Sequence, residues 1–119
     1  LEALVHPKAM VHSSVTVGDG AVIMAGAIIA PGSKIGRGVI INHGAIVDHD
    51  CTVGDYAHIC PGACVAGGVK IGRASWIGIG STIIQDLIIG DDVIVGAGSV
   101  VIKSVPNNVK IAGVPAKPI

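Results

Sequence analysis

The chain has 119 residues, a formal net charge of zero and eight Lys or Arg scattered along its length, which is one domain's worth of sequence without a nucleic-acid footprint. Half of its residues are hydrophobic, yet there is no Phe, one Trp and one Tyr, and no apolar stretch approaches the length of a membrane-spanning helix. Three cysteines argue against a disulfide framework, and with no charged leader ahead of an apolar core the expectation is a soluble cytoplasmic protein.

In chain order, the predicted elements are short strands at one fixed interval. Every sixth residue from Val5, Val11 and Val17 through Val95 to Val101 is Val or Ile, without exception. Four residues after each comes a small or aliphatic residue, such as Ala9, Ala21, Ala27, Ser33, Ala45, Cys51, Ala57, Ser75, Ser81 and Ser99. A helix would repeat its apolar face every three or four residues and an exposed strand every two. A strict six with β-branched residues at the key position therefore predicts one flat side plus one corner, and three such sides close an eighteen-residue triangular coil. Gly18, Gly36, Gly54, Gly72 and Gly90 mark the eighteen-residue beat directly, and are expected to permit a backbone turn that a side chain would resist. Burial of each Val or Ile contributes roughly 1.5 to 3 kcal/mol, so about five to six coils need no aromatic core. The expected organisation is a parallel β-helix over residues 1–105, followed by a tail over 106–119 in which Pro106, Pro115 and Pro118 break the register and the chain folds over the last coil.

With the interior full, chemistry belongs at corners and outer faces. His6 and His12 lie near the N-terminal end and carry no distinctive context. His49 lies two residues after the inward Val47, between Asp48 and Asp50, which places it at a corner with a carboxylate on either side. A carboxylate on one imidazole nitrogen fixes the tautomer and stabilises the imidazolium, as a general base working near neutral pH requires; a solvated polar corner would read the same way. Cys51 occupies a small interior position and reads as a packed thiol. Cys60 and Cys64, with His58 nearby, lack a second pair at zinc-site spacing, so no metal is expected.

His58 is nine residues from His49, half a coil, so the two face opposite sides of the prism and can share a site only between subunits. By itself His58 also reads as a partly buried histidine satisfied by backbone. Stacking by eighteen aligns His43, Pro61, Ile79 and Ala97 in one column and Asn42, Cys60, Gly78 and Gly96 in the next, a wall along which a long thin ligand could lie. Beyond His49 the column continues with Gly67, Gln85 and Lys103, which is expected to leave open space directly past the histidine.

Residues 40 to 58 (Ile-Ile-Asn-His-Gly-Ala-Ile-Val-Asp-His-Asp-Cys-Thr-Val-Gly-Asp-Tyr-Ala-His), 66 to 72 (Ala-Gly-Gly-Val-Lys-Ile-Gly) and 112 to 117 (Ala-Gly-Val-Pro-Ala-Lys) carry a further signal. Through them the chain resembles the left-handed β-helix hexapeptide acyltransferases, within them the sugar O- and N-acetyltransferases of the sialic acid and bacillosamine type, over essentially its whole length. The resemblance implies an acetyl-CoA-dependent homotrimer with active sites between subunits, acting on a sugar amine or hydroxyl, and supplies the left-handedness that the period does not. It implies that His49 is the general base and that Asp50 raises its basicity. It also implies that His58, with backbone near Gly78, Ile79 and Ala97, contacts acetyl-CoA from the neighbouring subunit. Asn42 and His43 resemble residues lining the acceptor side of the site, and Lys117 resembles one near the CoA phosphates. No Ser or Cys sits in a nucleophile motif, so direct attack on the thioester is implied. Members of this subgroup usually carry an N-terminal Rossmann-like domain for the nucleotide-sugar, whereas here the sequence starts with Leu4-Val5-His6-Pro7 at the coil entrance.

Two other functions fit a β-helix. A gamma-class carbonic anhydrase needs histidine ligands five residues apart, a spacing that none of the five histidines shows. An ice-binding or purely structural solenoid is the other, but Thr16, Thr52 and Thr82 form no long threonine column.

Overall fold

The computed structural model describes residues 1–119 and contains no helix. Seventeen two-residue strands recur every six residues, from β1 (Leu4–Val5) to β17 (Val100–Val101), followed by β18 (Lys110–Gly113) and β19 (Ala116–Pro118). They form three parallel sheets in which each strand pairs with the one eighteen residues away, for example His58 with Ile40 and Trp76, or Cys64 with Ile46 and Thr82. Sheet 1 runs along β1, β4 (Val22–Ile23), β7 (Ile40–Ile41), β10 (His58–Ile59), β13 (Trp76–Ile77) and β16 (Ile94–Val95). Sheet 2 includes β5 (Ile28–Ile29), β8 (Ile46–Val47), β11 (Cys64–Val65) and β14 (Thr82–Ile83), and sheet 3 includes β9 (Thr52–Val53) and β12 (Lys70–Ile71). The result is a triangular parallel β-solenoid of about six turns, 37 Å long and 21 by 20 Å across.

The interior is the hexad register itself. Ile23, Ile29, Ile41, Val47, Val53, Ile59, Val65, Ile77, Ile83 and Val95 are fully buried, with Ala21, Ala27, Ala45, Ala57 and Ala63 filling the corners. Tyr56 and Trp76 stay half exposed on the outside, as a narrow prism requires. Buried serines stitch successive coils together. The Ser75 hydroxyl donates to the Gly90 carbonyl at 2.6 Å and accepts the Val93 N–H at 3.0 Å, so no buried polar side-chain atom lacks a partner.

The Gly18-to-Gly90 ladder has a different cause from the one its sequence suggests. None of these five glycines adopts a left-handed φ. A β-carbon on Gly18 would lie 2.6 Å from the Arg37 nitrogen of the next coil, and one on Gly54 would lie 2.8 Å from the Arg73 nitrogen; close approach of neighbouring coils, not a turn, excludes the side chain. From Gly20 to Gly98 a left-handed position falls three residues after the inward aliphatic, and there Asp50 (φ 55°), Tyr56 (φ 61°), Ala74, Asp86 and Asp92 stand among glycines.

After Val101 the spacing between paired residues shortens from eighteen to sixteen. Val105 bridges Ile89, and Ile111 pairs with Val95. Both are buried, and β19 then returns antiparallel along β18 at the end of sheet 1.

Candidate functional site

Two of the three corners and one sheet face gather the candidate residues. His49 and Asp50 form the turn between β8 and β9, the corner joining sheets 2 and 3. The turn is fixed from three directions. Asp48 Oδ1 accepts the His49 N–H at 2.8 Å, the Asp50 N–H donates to the Pro31 carbonyl at 3.0 Å, and Gly68 N–H donates to the His49 carbonyl at 2.9 Å. From below, the buried Ser33 hydroxyl donates to the Asp48 carbonyl at 2.6 Å and accepts the Cys51 N–H at 3.1 Å, bracketing the dyad.

Within that frame His49 Nδ1 lies 3.0 Å from Asp50 Oδ2, with side chains 61% and 71% exposed. A carboxylate only accepts, so Nδ1 carries the proton and Nε2 presents its lone pair outward. The hydrogen bond to Asp50 raises the His49 pKa above its ordinary value against an opposing effect of desolvation, and the charges of Asp48, Asp50 and Asp86 add to the rise.

Glycines on both sides make room for this pair. A β-carbon on Gly32, one coil below, would overlap Asp50 Oδ1; one on the buried Gly67, one coil above, would lie 2.7 Å from His49 Cε1 and nearer still to Nε2. The column past His49 is thus not open space, because the imidazole itself lies over Gly67. Gly67 has no left-handed φ, so alanine suits its backbone and only the ring is in the way. Gly67→Ala is expected to keep the fold and its melting temperature while displacing the His49 ring from Asp50, which the imidazole 15N shifts of His49 would report. Adding Gly67→Ala to a His49→Ala variant should change nothing further.

The second group lies across the prism. His58 stands on the outer face of sheet 1, half buried, with Trp76 as its neighbour one coil on. The two rings meet edge to face, centroids 4.7 Å apart at 71°. Asn42 Nδ2 is 3.1 Å from His58 Nε2, and Asn42 Oδ1 accepts the His43 backbone N–H at 2.8 Å. Burial lowers the His58 pKa. Asn42 and His43 therefore accompany His58 and not His49 within one chain.

At the adjoining corner between sheets 1 and 2, His43, Pro61, Ile79 and Ala97 stack, each carbonyl of the first three accepting an N–H from the next coil. Their own N–H groups differ. That of His43 is capped by Asn42 and Pro61 has none, whereas Gly78 and Gly96 offer no side chain to cap Ile79 and Ala97, whose N–H groups meet no acceptor in the chain. Two outward donors one coil apart remain on this wall. Lys117 lies in β19, exposed and paired with Ala112 at the end of sheet 1. Trp76 was not singled out by its residue type, although adding eighteen to His58 finds it; Gly32 and Ser33 follow by subtracting eighteen from Asp50 and Cys51.

No group of three or more His, Cys, Asp or Glu converges within the chain, and no helix is long and apolar enough to cross a membrane.

The family model for bacterial transferase hexapeptide (six repeats) matches residues 32–67 and 68–103. No curated protein matches the chain. Among solved structures, the acetyltransferase domain of PglB from Neisseria gonorrhoeae FA1090 in complex with acetyl coenzyme A is 43% identical, with a TM-score of 0.99 over 100% of this chain and 58% of that one. PerB from Caulobacter crescentus, in complex with CoA and GDP-perosamine, is 45% identical (TM-score 0.97, 98% of this chain and 56% of that one). WeeI from Acinetobacter baumannii AYE is 34% identical (TM-score 0.93, 97% and 57%). The chain thus spans under three-fifths of the length of these relatives.

Proposed function

Because the chain belongs to the bacterial transferase hexapeptide family, we propose that it transfers an acetyl group from acetyl-CoA to an amino or hydroxyl group of a sugar, in the first place the amine of a nucleotide-activated amino sugar. The observation that carries this reading is the His49–Asp50 pair, with Nδ1 held at 3.0 Å and Nε2 free. Two similar structures, one in complex with acetyl coenzyme A and one in complex with CoA and GDP-perosamine, support both the donor and the acceptor class.

The chemistry is one displacement. His49 Nε2 takes the proton of the acceptor as its lone pair attacks the thioester carbonyl carbon, Asp50 stabilises the imidazolium that forms, and the carbon–sulfur bond breaks to release CoA thiolate. The donor lies along the wall of His58, Gly78, Ile79 and Ala97, where the free N–H groups of Ile79 and Ala97 suit the amide and thioester carbonyls of a pantetheine arm. Asn42 and His43 border that wall, and Lys117 reaches the donor's phosphates from β19.

Base and wall lie on different sides of one prism, so one site needs two subunits, and the outer face of sheet 2 explains how. It joins the two corners concerned and is largely apolar: Met10 is 68% exposed, Ile102 44%, Ile28 39% and Ile46 36%, interrupted by Thr82 in β14 and bordered by Asp48 and Asp50 at the His49 corner. Sheet 3 carries Lys34, Thr52 and Lys70 instead. Three prisms with sheet 2 turned inward bury the apolar face and set each His49 corner beside the neighbour's donor wall. We place this trimer in the cytoplasm, where the three free thiols of each chain stay reduced.

Calorimetric titration of acetyl-CoA into protein of known oligomeric state tests the reading; a folded trimer that binds no acetyl-CoA would sink it. In the assay, kcat/KM is expected to rise with pH through a His49 pKa above its ordinary 6.5, because only the neutral ring accepts a proton. Asp50→Asn removes the carboxylate charge that favours the imidazolium, so the acidic limb should move to lower pH while the plateau falls. An unmoved limb would assign that titration to another group.

A further inference from the structure

We propose that Ser33 is a positioning residue for His49: its buried hydroxyl is wedged into the turn from Asp48 to Cys51, holds that turn open, and so sets the pose in which imidazole and carboxylate meet. That the posed ring then moves a proton rests on the function proposed above; the wedge does not.

Turns without a wedge show what the hydroxyl changes. At the corners from Asn42 to Ala45, Gly54 to Ala57 and Cys60 to Ala63, the N–H of the fourth residue donates straight back to the carbonyl of the first, at 3.2, 3.2 and 3.1 Å, which is the closed form of a β-turn. One coil below each fourth residue lies Ala27, Val39 or Ala45, with no hydroxyl to offer. The corner from Asp48 to Cys51 has the same left-handed third residue as these, Asp50 in place of Gly44, Tyr56 or Gly62, yet its Cys51 N–H makes no bond to the Asp48 carbonyl. Ser33 lies beneath it, fully buried, and takes both halves of the missing bond. Its hydroxyl donates to the Asp48 carbonyl at 2.6 Å and accepts the Cys51 N–H at 3.1 Å. The inserted oxygen keeps the ends of the turn from closing on each other.

Both halves of the dyad ride on this turn, as its second and third residues. Their side chains bond to each other at 3.0 Å and to no other side chain, so nothing else would restore their approach if the backbone shifted. The seat is built by two consecutive residues of the coil below. Gly32 leaves room for the Asp50 carboxylate, and Ser33 spaces the backbone that carries it. A thiol fits such a position too: Cys51, one coil above Ser33, donates to the Ala66 carbonyl at 3.1 Å. Ser75 makes the same insertion, between the Gly90 carbonyl and the Val93 N–H, at a corner that carries no histidine.

The test is the imidazole 15N spectrum of the labelled whole chain followed through pH, with His49 assigned by the signals lost in His49→Ala. Ser33→Ala removes the wedge and lets Cys51 bond directly to Asp48, as at the corners seated on alanine, so the fold should survive. The Nδ1 signal of His49 should leave its carboxylate-bonded position, and the titration should drop toward the ordinary 6.5. In the assay kcat should fall, by less than the about 10²-fold or more that loss of the base itself costs, with KM for acetyl-CoA unchanged. Ser33→Cys should restore the wild-type spectrum and titration. Ser75→Ala should lower the melting temperature as much as Ser33→Ala does and leave the His49 signals where they are. A Ser33→Ala spectrum identical to wild type, a Ser33→Cys spectrum that matches Ser33→Ala, or His49 signals that move equally in Ser75→Ala would overturn the proposal. Displaced His49 signals in Ser33→Ala, with a wild-type protein that transfers no acetyl group, would leave the wedge standing and count against the acyltransferase reading instead.

Discussion

Replacing His49 with alanine is expected to lower kcat for acetyl transfer by about 10²- to 10⁴-fold, the share that a positioned general base contributes. Stability should be nearly unchanged, because the side chain is 61% exposed and makes one side-chain contact, to Asp50. The turn keeps its shape through Asp48, Pro31, Gly68 and Ser33, none of which bonds to the imidazole. Acetyl-CoA should still bind with its affinity little altered, since the proposed donor contacts come from the neighbour's His58, Ile79 and Ala97 and not from the His49 ring. The informative measurement is therefore a pair: steady-state rates against a saturating acceptor, and donor affinity by calorimetry, both on His49→Ala. A rate within about threefold of wild type would remove His49 from the reaction; loss of donor binding would show that the histidine holds substrate instead of moving a proton.

Ile46→Glu is expected to convert the proposed trimer to monomers and to abolish the proposed transfer. Ile46 sits mid-way along the outer face of sheet 2, between Ile28 and Cys64. A glutamate there would bring three unpaired carboxylates into an apolar contact, at a cost of several kcal/mol per buried charge. In the monomer the dyad would keep its geometry but lose the neighbour's wall, so activity should vanish with no change in the His49–Asp50 bond. Sedimentation equilibrium reads the first effect and the assay reads the second. Thr52→Glu, the same charge on the outer face of sheet 3, serves as the control and should leave both trimer and rate intact. A trimeric Ile46→Glu, or a monomeric one that remains fully active, would overturn the shared-site arrangement.

The behaviour of individual residues shows where the sequence was legible. The inward register from Ile23 to Val101 could be read because a coil that stacks on itself imposes one spacing on every layer, so each aliphatic testifies to the same geometry. The corner position of His49 and its separation from His58 follow from the same arithmetic of six and eighteen. Asp50 at a left-handed φ of 55° was not foreseen, since the hexad pattern names that position only by its usual glycine. The Gly18-to-Gly90 ladder was visible, yet its cause was misread, because a one-dimensional pattern does not distinguish a turn from the near contact of two coils. Asn42 and His58 are sixteen residues apart, not eighteen, and meet on a diagonal that column-by-column stacking does not list.

The sequence by itself determined the solenoid, the number of its coils, the outward placement of the histidines and the pairing of His49 with a neighbouring carboxylate, because all of these depend on spacing along the chain. Only the tertiary structure decided that the His49 ring lies over Gly67, that Asn42 bonds to His58 Nε2 and that Ile79 and Ala97 keep free N–H groups. Those depend on side-chain reach and on which donors are already satisfied by the next coil, and both are properties of packed layers that no spacing encodes.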